Sequence, residues 1–168
     1  AEGKDAQAVA VLRTGSGDHG GPAVRPGELD GRVLTVADLF ARADVALDGG
    51  EPDRTLRATL GGDMMSYRWT INGRTFDDME PLEVRSGERV RLEFENPSMM
   101  FHPMHLHGHT FQVRGAAGAG PRKDTATVLP GQALEVDFDA DNAGQWLTHC
   151  HNVYHGEAGM MTVVSYVE

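Results

Sequence analysis

The residues of this chain that could do chemistry are concentrated around its only cysteine. Cys150 lies between His149 and His151, and His155 and Met160 follow at five-residue intervals. Two imidazoles, one thiolate and a weak thioether are the ligands typical of copper sites that transfer electrons. This segment therefore predicts a copper site with Cys150, His155 and Met160 as three of its ligands.

A second group of histidines, HPMHLH, occupies residues 102–107. It is the nearest source of the missing imidazole, and His102 is the candidate for that ligand. The other two histidines of the group, His105 and His107, are two residues apart. In a β-strand this spacing places both side chains on the same face.

The histidines that flank Cys150 favour a second metal centre. If the segment is extended, His149 and His151 point to the face opposite to Cys150. His105 and His107 could converge on that face from an adjacent strand, so that four imidazoles would surround a metal. Electrons could pass between the two centres through Cys150 and the neighbouring backbone. We therefore predict Cys150, His149 and His151 as the catalytic residues.

Packing, zinc binding and nucleophilic catalysis each account less well for these residues. A buried cysteine is usually a small hydrophobe, and an isolated histidine is usually a hydrogen-bonded structural residue. However, six of the eight histidines and the only cysteine fall within residues 102–107 and 149–155, which packing alone does not require. Structural zinc sites usually have paired cysteines or fewer imidazoles. A catalytic cysteine would leave the additional histidines unexplained.

The motifs HPMHLHG at 102–108 and HCHNVYHGEAGM at 149–160 resemble those of the last domain of multicopper oxidases. The segments YRWTING at 67–73, GERVRLEFEN at 87–96 and KDTATVLPG at 123–131 agree with the resemblance, which covers most of the chain. The bacterial copper-resistance and laccase-like members are the most similar. The resemblance implies a Greek-key β-sandwich of the cupredoxin type and a laccase-like oxidoreductase.

The same resemblance implies a role for each candidate ligand. Electrons from a small reducing substrate, a phenol or a reduced metal ion, would enter at a type 1 copper. They would pass through Cys150 and its flanking histidines to a trinuclear copper centre that reduces O2 to water. The implied ligands are His102, Cys150, His155 and axial Met160 for type 1 copper, His105 for type 2, and His107, His149 and His151 for type 3.

Two features depart from the family pattern. Some bacterial members carry an acidic residue directly after the second type 1 histidine, but here that position is Gly156 and Glu157 is one place further on. A trinuclear centre in this family takes eight imidazoles, four of them from another domain, whereas this chain offers four. The resemblance therefore implies a partner, which is another cupredoxin domain of the same protein or a neighbouring subunit.

The sequence also predicts how the chain is divided. The segment QAVAVLR at 7–13 is typical of a short buried strand, so residues 1–13 are predicted to be the last strand of a preceding domain. Residues 14–31, rich in Gly and Pro and including His19, have the composition of a linker. Residues 32–168 form the predicted copper-binding domain. We therefore expect the chain to be a fragment of a larger oxidase.

Local patterns within residues 32–168 predict an all-β sandwich with a short helix near its start. The helix is predicted at Val33–Ala43 with Thr35 as N-cap. Asn72-Gly73 is typical of a hairpin turn, and Gly115–Gly120 of a second hairpin tip. Strands are predicted at Tyr67–Ile71, Arg74–Phe76, Val90–Phe94, Ala133–Phe138 and Met161–Val167.

Composition limits the partners. A net charge of −10 argues against nucleic acid and anionic membranes, and mildly favours cationic or neutral substrates. No stretch is long and apolar enough to span a bilayer. One cysteine permits no internal disulfide, so cysteine use does not reveal the compartment. No targeting peptide is recognisable, and the family resemblance suggests the periplasm or the cell exterior.

Two further functions remain open beside the oxidase. The chain alone could be a mononuclear electron-transfer cupredoxin. It could also store or deliver copper through exchangeable sites, because thioethers bind cuprous ions. Met99, Met100 and Met104 lie near His102 in the sequence and are candidates for copper entry. The eighth histidine, His109, is expected to hydrogen-bond near the site rather than bind metal.

Overall fold

The computed structural model describes residues 10, 12–18, 27–32, 34–115 and 118–168. The chain divides into two compact units, Ala1–Leu34 and Thr35–Glu168. In the first unit the described residues include one 3-10 turn, Gly27–Asp30. Most of the strand predicted at 7–13, and His19, lie outside the described residues. The predicted division at residues 13 and 31 stays a prediction.

The second unit is a sandwich of two β-sheets, which confirms the predicted all-β fold. In chain order the strands are β1 (Arg54–Asp63), β2 (Arg68–Ile71), β3 (Leu82–Val84), β4 (Arg89–Glu95), β5 (His102–Leu106), β6 (Phe111–Gly115), β7 (Gly118–Lys123), β8 (Thr125–Val128), β9 (Ala133–Asp139), β10 (Gln145–Cys150) and β11 (Met161–Tyr166). One sheet has the strand order β2-β1-β4-β9-β6-β7 and the other β3-β11-β10-β5-β8.

The core forms because apolar and polar residues alternate along these strands. In β4 the side chains of Val90, Leu92 and Phe94 are buried, while the residues between them are partly exposed. Each large apolar side chain buried in this way stabilises the fold by about 1.5–3 kcal/mol. The largest fully buried apolar side chains are Trp69, Phe94, Phe111, Phe138, Leu60, Leu92, Met104, Leu106 and Met160.

The helix predicted at Val33–Ala43 is much shorter in the structure. Thr35 precedes a single 3-10 turn, Val36–Asp38, and its backbone N–H and hydroxyl both donate to the Asp38 carboxylate, at 2.9 and 3.0 Å. Val36 packs against the core but Leu39 and Phe40 are exposed, so a longer helix would bury little apolar surface. The α-helix of the described residues, α1 (Val153–Glu157), lies instead between the candidate ligands.

The turn at Asn72-Gly73 is confirmed, since both residues have positive φ, 52° and 78°. The strand predicted after it, Arg74–Phe76, is wrong. Of these three residues, Arg74 alone pairs across the turn, with Ile71, and a 3-10 turn follows at Phe76–Asp78. The backbone N–H of Phe76 donates to Gly159 O, so Phe76 is hydrogen-bonded to the loop before β11 and not to β2.

The other predicted strands are confirmed with small changes at their ends. Val90–Phe94 and Ala133–Phe138 lie within β4 and β9, and the last strand ends at Tyr166 instead of Val167. The hairpin tip predicted at Gly115–Gly120 connects β6 to β7, with residues 116–117 outside the described part. None of the helices in the described part of the chain has the length and apolar character needed to cross a membrane.

An ion pair joins the start of β1 to the turn before β4. Arg54 donates to both carboxylate oxygens of Glu88, at 2.8 and 2.7 Å, and the backbone N–H of Arg85 donates to the same group at 2.9 Å. These hydrogen bonds lower the pKa of Glu88 to about 2. Because the folded pKa lies below its ordinary value, the stabilisation is present above about pH 4.5 and is lost as the pH falls towards 2.

We expect Glu88→Gln to lower the free energy of unfolding by about 1 kcal/mol at pH 7, after allowance for solvent screening. The difference from the unmodified chain should vanish as the pH falls from about 4.5 to 2. Chemical denaturation at several pH values measures both. Glu80→Gln, which removes an exposed carboxylate paired with Arg74, is the matched control and should change little. A difference that persisted at pH 2 would contradict the assignment.

Candidate copper centre

The pairing of β5 with β10 brings the two histidine groups together. Their antiparallel register places His149 opposite His105 and Cys150 opposite Met104. Cys150 and Met104 are buried, whereas His105 and His149 are only partly buried. Strand alternation thus directs the cysteine into the core and its neighbouring histidine to the other face.

On the core side, three donor atoms lie close together. The Sγ atom of Cys150 is 3.7 Å from Nδ1 of His102 and 3.8 Å from Nδ1 of His155. The two Nδ1 atoms are 3.1 Å apart. All three residues are buried. We call this set the buried cluster.

These distances fit a single copper ion. A metal bonded at about 2.0 Å to nitrogen and about 2.3 Å to sulfur in a trigonal plane separates nitrogen from sulfur by about 3.7 Å. Both nitrogen–sulfur distances of the buried cluster agree with this value. The shorter nitrogen–nitrogen distance corresponds to an angle of about 100° at the metal. Two imidazoles with one thiolate are also the donor set of blue copper sites.

The surroundings of His102 prepare its Nδ1 atom for a metal. The Ser98 hydroxyl lies 2.8 Å from Nε2 on the opposite side of the ring. When Nε2–H donates to this hydroxyl, Nδ1 keeps its lone pair. Burial, with a smaller contribution from nearby His155, lowers the pKa of His102 to about 4. The ring is therefore neutral at physiological pH, as a metal ligand must be.

Backbone hydrogen bonds fix the loop that carries His155 and Met160. Cys150 N–H donates to Met160 O at 3.1 Å, and Met160 N–H donates to His155 O at 3.0 Å. The loop is also tied to β2, since Trp69 N–H donates to Ala158 O at 3.2 Å. Met160 is fully buried. These hydrogen bonds thus connect Met160, the predicted axial ligand, to Cys150 and His155.

On the opposite face of β10, a second set of imidazoles converges. Donor atoms of His105, His107 and His149 all lie within 4.8 Å of one another. The two Nε2 atoms of His107 and His149 are 3.1 Å apart. We call these three residues the outer cluster. Burial, together with neighbouring imidazoles, lowers the pKa of His107 and His149.

Hydrogen bonds select which nitrogen the outer cluster can offer. Nδ1 of His105 lies 2.8 Å from Asp124 O, and Nδ1 of His149 lies 3.0 Å from Cys150 O. A carbonyl oxygen only accepts, so each Nδ1 carries the proton. The Nε2 lone pairs of both rings are therefore available to a metal.

His151 borders the outer cluster without belonging to the close set. Its ring centroid is 5.8 Å from that of His105 and 5.9 Å from that of His149. Glu157 lines the same cavity as His107, His149 and His151. An acidic residue therefore borders this cavity, although position 156 is a glycine.

His109 lies behind the outer cluster, as expected of a supporting residue. Its Nδ1–H donates to His107 O at 3.1 Å, and its Nε2 lies 2.7 Å from the Tyr166 hydroxyl. The imidazole packs against Phe138 and stacks on Tyr166. It thus holds the backbone of a candidate ligand in place.

Sequence reasoning missed Ser98 and Trp69. Ser98 follows Asn96-Pro97, and this pair signals a local turn but not a contact with His102. The Trp69 ring packs on His155, with centroids 4.1 Å apart, and contacts His102 at 5.3 Å. Its strand position was predicted, but its neighbours come from residues far along the chain.

Comparison with known proteins decides the family. The model of the family described as "Multicopper oxidase" matches residues 51–168, which is most of the chain. The chain belongs to the multicopper oxidase family. Family members bind copper, and the buried and outer clusters lie inside the matched region.

Individual relatives agree with this membership. Multicopper oxidase MmcO from Mycobacterium tuberculosis is 50% identical over 168 residues, which cover 99% of this chain and 33% of that protein. Copper resistance protein A from Escherichia coli is 41% identical over 134 residues, covering 79% of this chain and 22% of that protein. The chain therefore spans a third or less of the length of these relatives.

A solved multicopper oxidase shares the fold. McoA from the hyperthermophile Aquifex aeolicus superimposes with a TM-score of 0.58 and 32% identity, over 70% of this chain and 29% of that chain. The two-sheet sandwich is therefore the cupredoxin-like architecture that the sequence resemblance implied. The metal role of each individual ligand stays a prediction.

We expect Ser98→Ala to weaken copper binding by about 10- to 100-fold, because the hydroxyl that orients the His102 ring is lost. Competition with a copper chelator measures the affinity. Ser66→Ala is the matched control. The Ser66 hydroxyl donates to the Asp63 side chain in a turn, as the Ser98 hydroxyl donates to the Asn96 side chain. Equal affinities for Ser98→Ala and the unmodified chain would show that Ser98 does not orient this ligand.

Proposed function

We propose that the chain is the part of a multicopper oxidase that receives electrons and passes them towards oxygen. One observation carries the proposal: the buried and outer clusters share strand β10, with Cys150 in one and His149 in the other. Adjacent residues of one strand thus connect two groups of metal-ligating side chains. Copper bound there would supply one-electron redox chemistry, taking electrons from a reducing substrate and delivering them to O2, which is reduced to water.

In this proposal the residues of the buried cluster hold a type 1 copper. His102 and His155 would supply nitrogen donors, Cys150 a thiolate and Met160 a weak thioether. Their burial excludes water, so solvent cannot bind in place of a protein ligand. Backbone hydrogen bonds and rigid strands hold the donors in nearly the same positions whatever the charge at the site.

The outer cluster is proposed as the chain's share of a trinuclear centre. His105 would bind the type 2 copper, and His107, His149 and His151 the type 3 pair. His107 and His151 are exposed on this chain, which leaves that side accessible to further ligands. We propose that another cupredoxin domain of the same protein, or a neighbouring subunit, supplies the remaining imidazoles.

The reducing substrate is proposed to be a phenol or a reduced metal ion. The negative charge of the chain favours neutral or cationic donors. We also propose export to the periplasm or the cell exterior, which cell fractionation tests. Membership of a family that includes bacterial copper resistance proteins supports both statements.

A second candidate function is the storage or delivery of copper by the chain alone. The exposure of His107 and His151 favours it, because exposed imidazoles exchange metal readily. The thioethers of Met65 and Met99 are also exposed, whereas Met104 is fully buried and unsuited to copper entry. A mononuclear electron-transfer protein would use the buried cluster only.

Copper stoichiometry with an absorption spectrum tests the proposal. We expect one tightly bound copper with an intense visible thiolate-to-copper band in this chain. In the longer protein that contains it, we expect four coppers and O2 consumption with a phenolic donor. Cys150→Ser should abolish the band and the O2 consumption, because the sulfur donor is lost.

The outcomes separate the candidates. A longer protein that bound copper and showed the band but consumed no O2 would favour electron transfer. Several weakly held, exchangeable coppers without the band would favour storage or delivery. A chain that preferred zinc, or lost nothing in Cys150→Ser, would overturn the copper assignment.

A further inference from the structure

The two imidazoles of the buried cluster are closed to solvent. His102 and His155 are both 0% exposed. A donor molecule in solution therefore touches neither ring. Electrons that enter the buried cluster must cross at least one further side chain.

Trp69 covers these imidazoles from the side of β2. Its indole ring lies 4.1 Å from the His155 ring and 5.3 Å from the His102 ring, measured between centroids. It is itself only 1% exposed. One aromatic side chain thus contacts both imidazoles of the cluster, but it does not reach solvent by itself.

Tyr67 extends this contact to the surface. Its ring meets Trp69 edge to face, at a centroid distance of 6.2 Å and an interplanar angle of 86°. Tyr67 lies in the turn before β2, with a positive φ of 50°. Tyr67 is 40% exposed. Tyr67, Trp69 and His155 therefore form a continuous series of π-systems from solvent to the buried cluster.

Packing alone does not explain an indole at position 69. Its Nε1 atom is buried and has no hydrogen-bond partner among the described residues. A buried donor without an acceptor is unfavourable, and a phenylalanine would avoid this cost. Space is also made for the ring at Gly62, where a Cβ would overlap the indole. The structure thus retains a large, electron-rich ring at an energetic cost.

We propose that Tyr67 and Trp69 form the electron-entry route to the buried cluster, with small aromatic donors such as phenols making contact at Tyr67. The proposal rests on the proposed function, since it needs a cupric ion at the cluster as the oxidant. One electron leaves the donor and reduces the cupric ion to cuprous. No bond in the protein forms or breaks, and both aromatic residues are unchanged afterwards. The oxidised phenol releases its proton to solvent.

The test is the rate at which hydroquinone bleaches the thiolate-to-copper band, followed by stopped flow without oxygen in the copper-loaded 168-residue chain. We expect Tyr67→Leu and Trp69→Leu to slow bleaching about tenfold or more, while Tyr67→Phe and Trp69→Phe lose less because a ring remains. Tyr154→Leu is the matched control. It removes another exposed tyrosine, next to His155 in sequence, and should leave the rate unchanged.

A second readout does not depend on turnover. In the Trp146→Phe variant Trp69 is the only tryptophan, and one equivalent of cupric ion should quench most of its emission. In Trp69→Phe, where only Trp146 remains, the quenching should be at least about fivefold weaker, because that indole packs on His109 instead. The position of the visible band in each variant shows whether the ligands have moved.

Each result has a defined meaning. Slower bleaching in Tyr67→Leu with an unchanged band and an unchanged Tyr154→Leu supports the route. Bleaching at the original rate in Tyr67→Leu, or equal slowing in Tyr154→Leu, overturns it. If the unmodified chain shows no band, the proposed function has failed before any variant is compared.

Discussion

The antiparallel pairing of β5 with β10 is the constraint on which both clusters depend. Successive side chains of a strand point to opposite faces, so the register that sets Cys150 opposite Met104 also sets His149 opposite His105. A slip of one residue would send the cysteine out of the core and a polar imidazole into it. The apolar residues that alternate with the ligands make that slip costly. The same hydrogen-bonded ladder thus determines both the packing of the core and the face of the sheet on which each candidate ligand lies.

Much of this arrangement could be predicted from local spacing. The two-residue periodicity separated Cys150 from His149 and linked His105 with His107, because strand geometry is a property of neighbouring residues. The contacts of Ser98 and Trp69 could not be predicted in this way, since they depend on how the chain folds around the ligands. The prediction of a helix at Val33–Ala43 was too long for a related reason. Its periodic apolar residues matched a helix, but nothing in the local sequence showed that Leu39 and Phe40 remain exposed.

The clusters differ in which imidazole nitrogen they present. The buried cluster offers Nδ1 and the outer cluster offers Nε2 at His105 and His149. Partners outside the metal positions decide this, a hydroxyl for His102 and backbone carbonyls for the other two. Since carbonyl oxygens belong to the backbone itself, the tautomers of the outer cluster are set by folding rather than by a dedicated side chain. A substitution elsewhere in β5, β8 or β10 that kept the ladder would keep this choice.

The parallel pairing of β3 with β11 has a consequence for folding. It joins Leu82 to Val164, so one partner is synthesised long before the other. Until β11 is synthesised, β3 has no partner strand in its sheet, and an unpaired strand can pair with other chains. Pairings between such distant residues also slow folding, because the intervening chain must be closed first. β3 therefore stays unpaired until nearly all of the described chain has been synthesised.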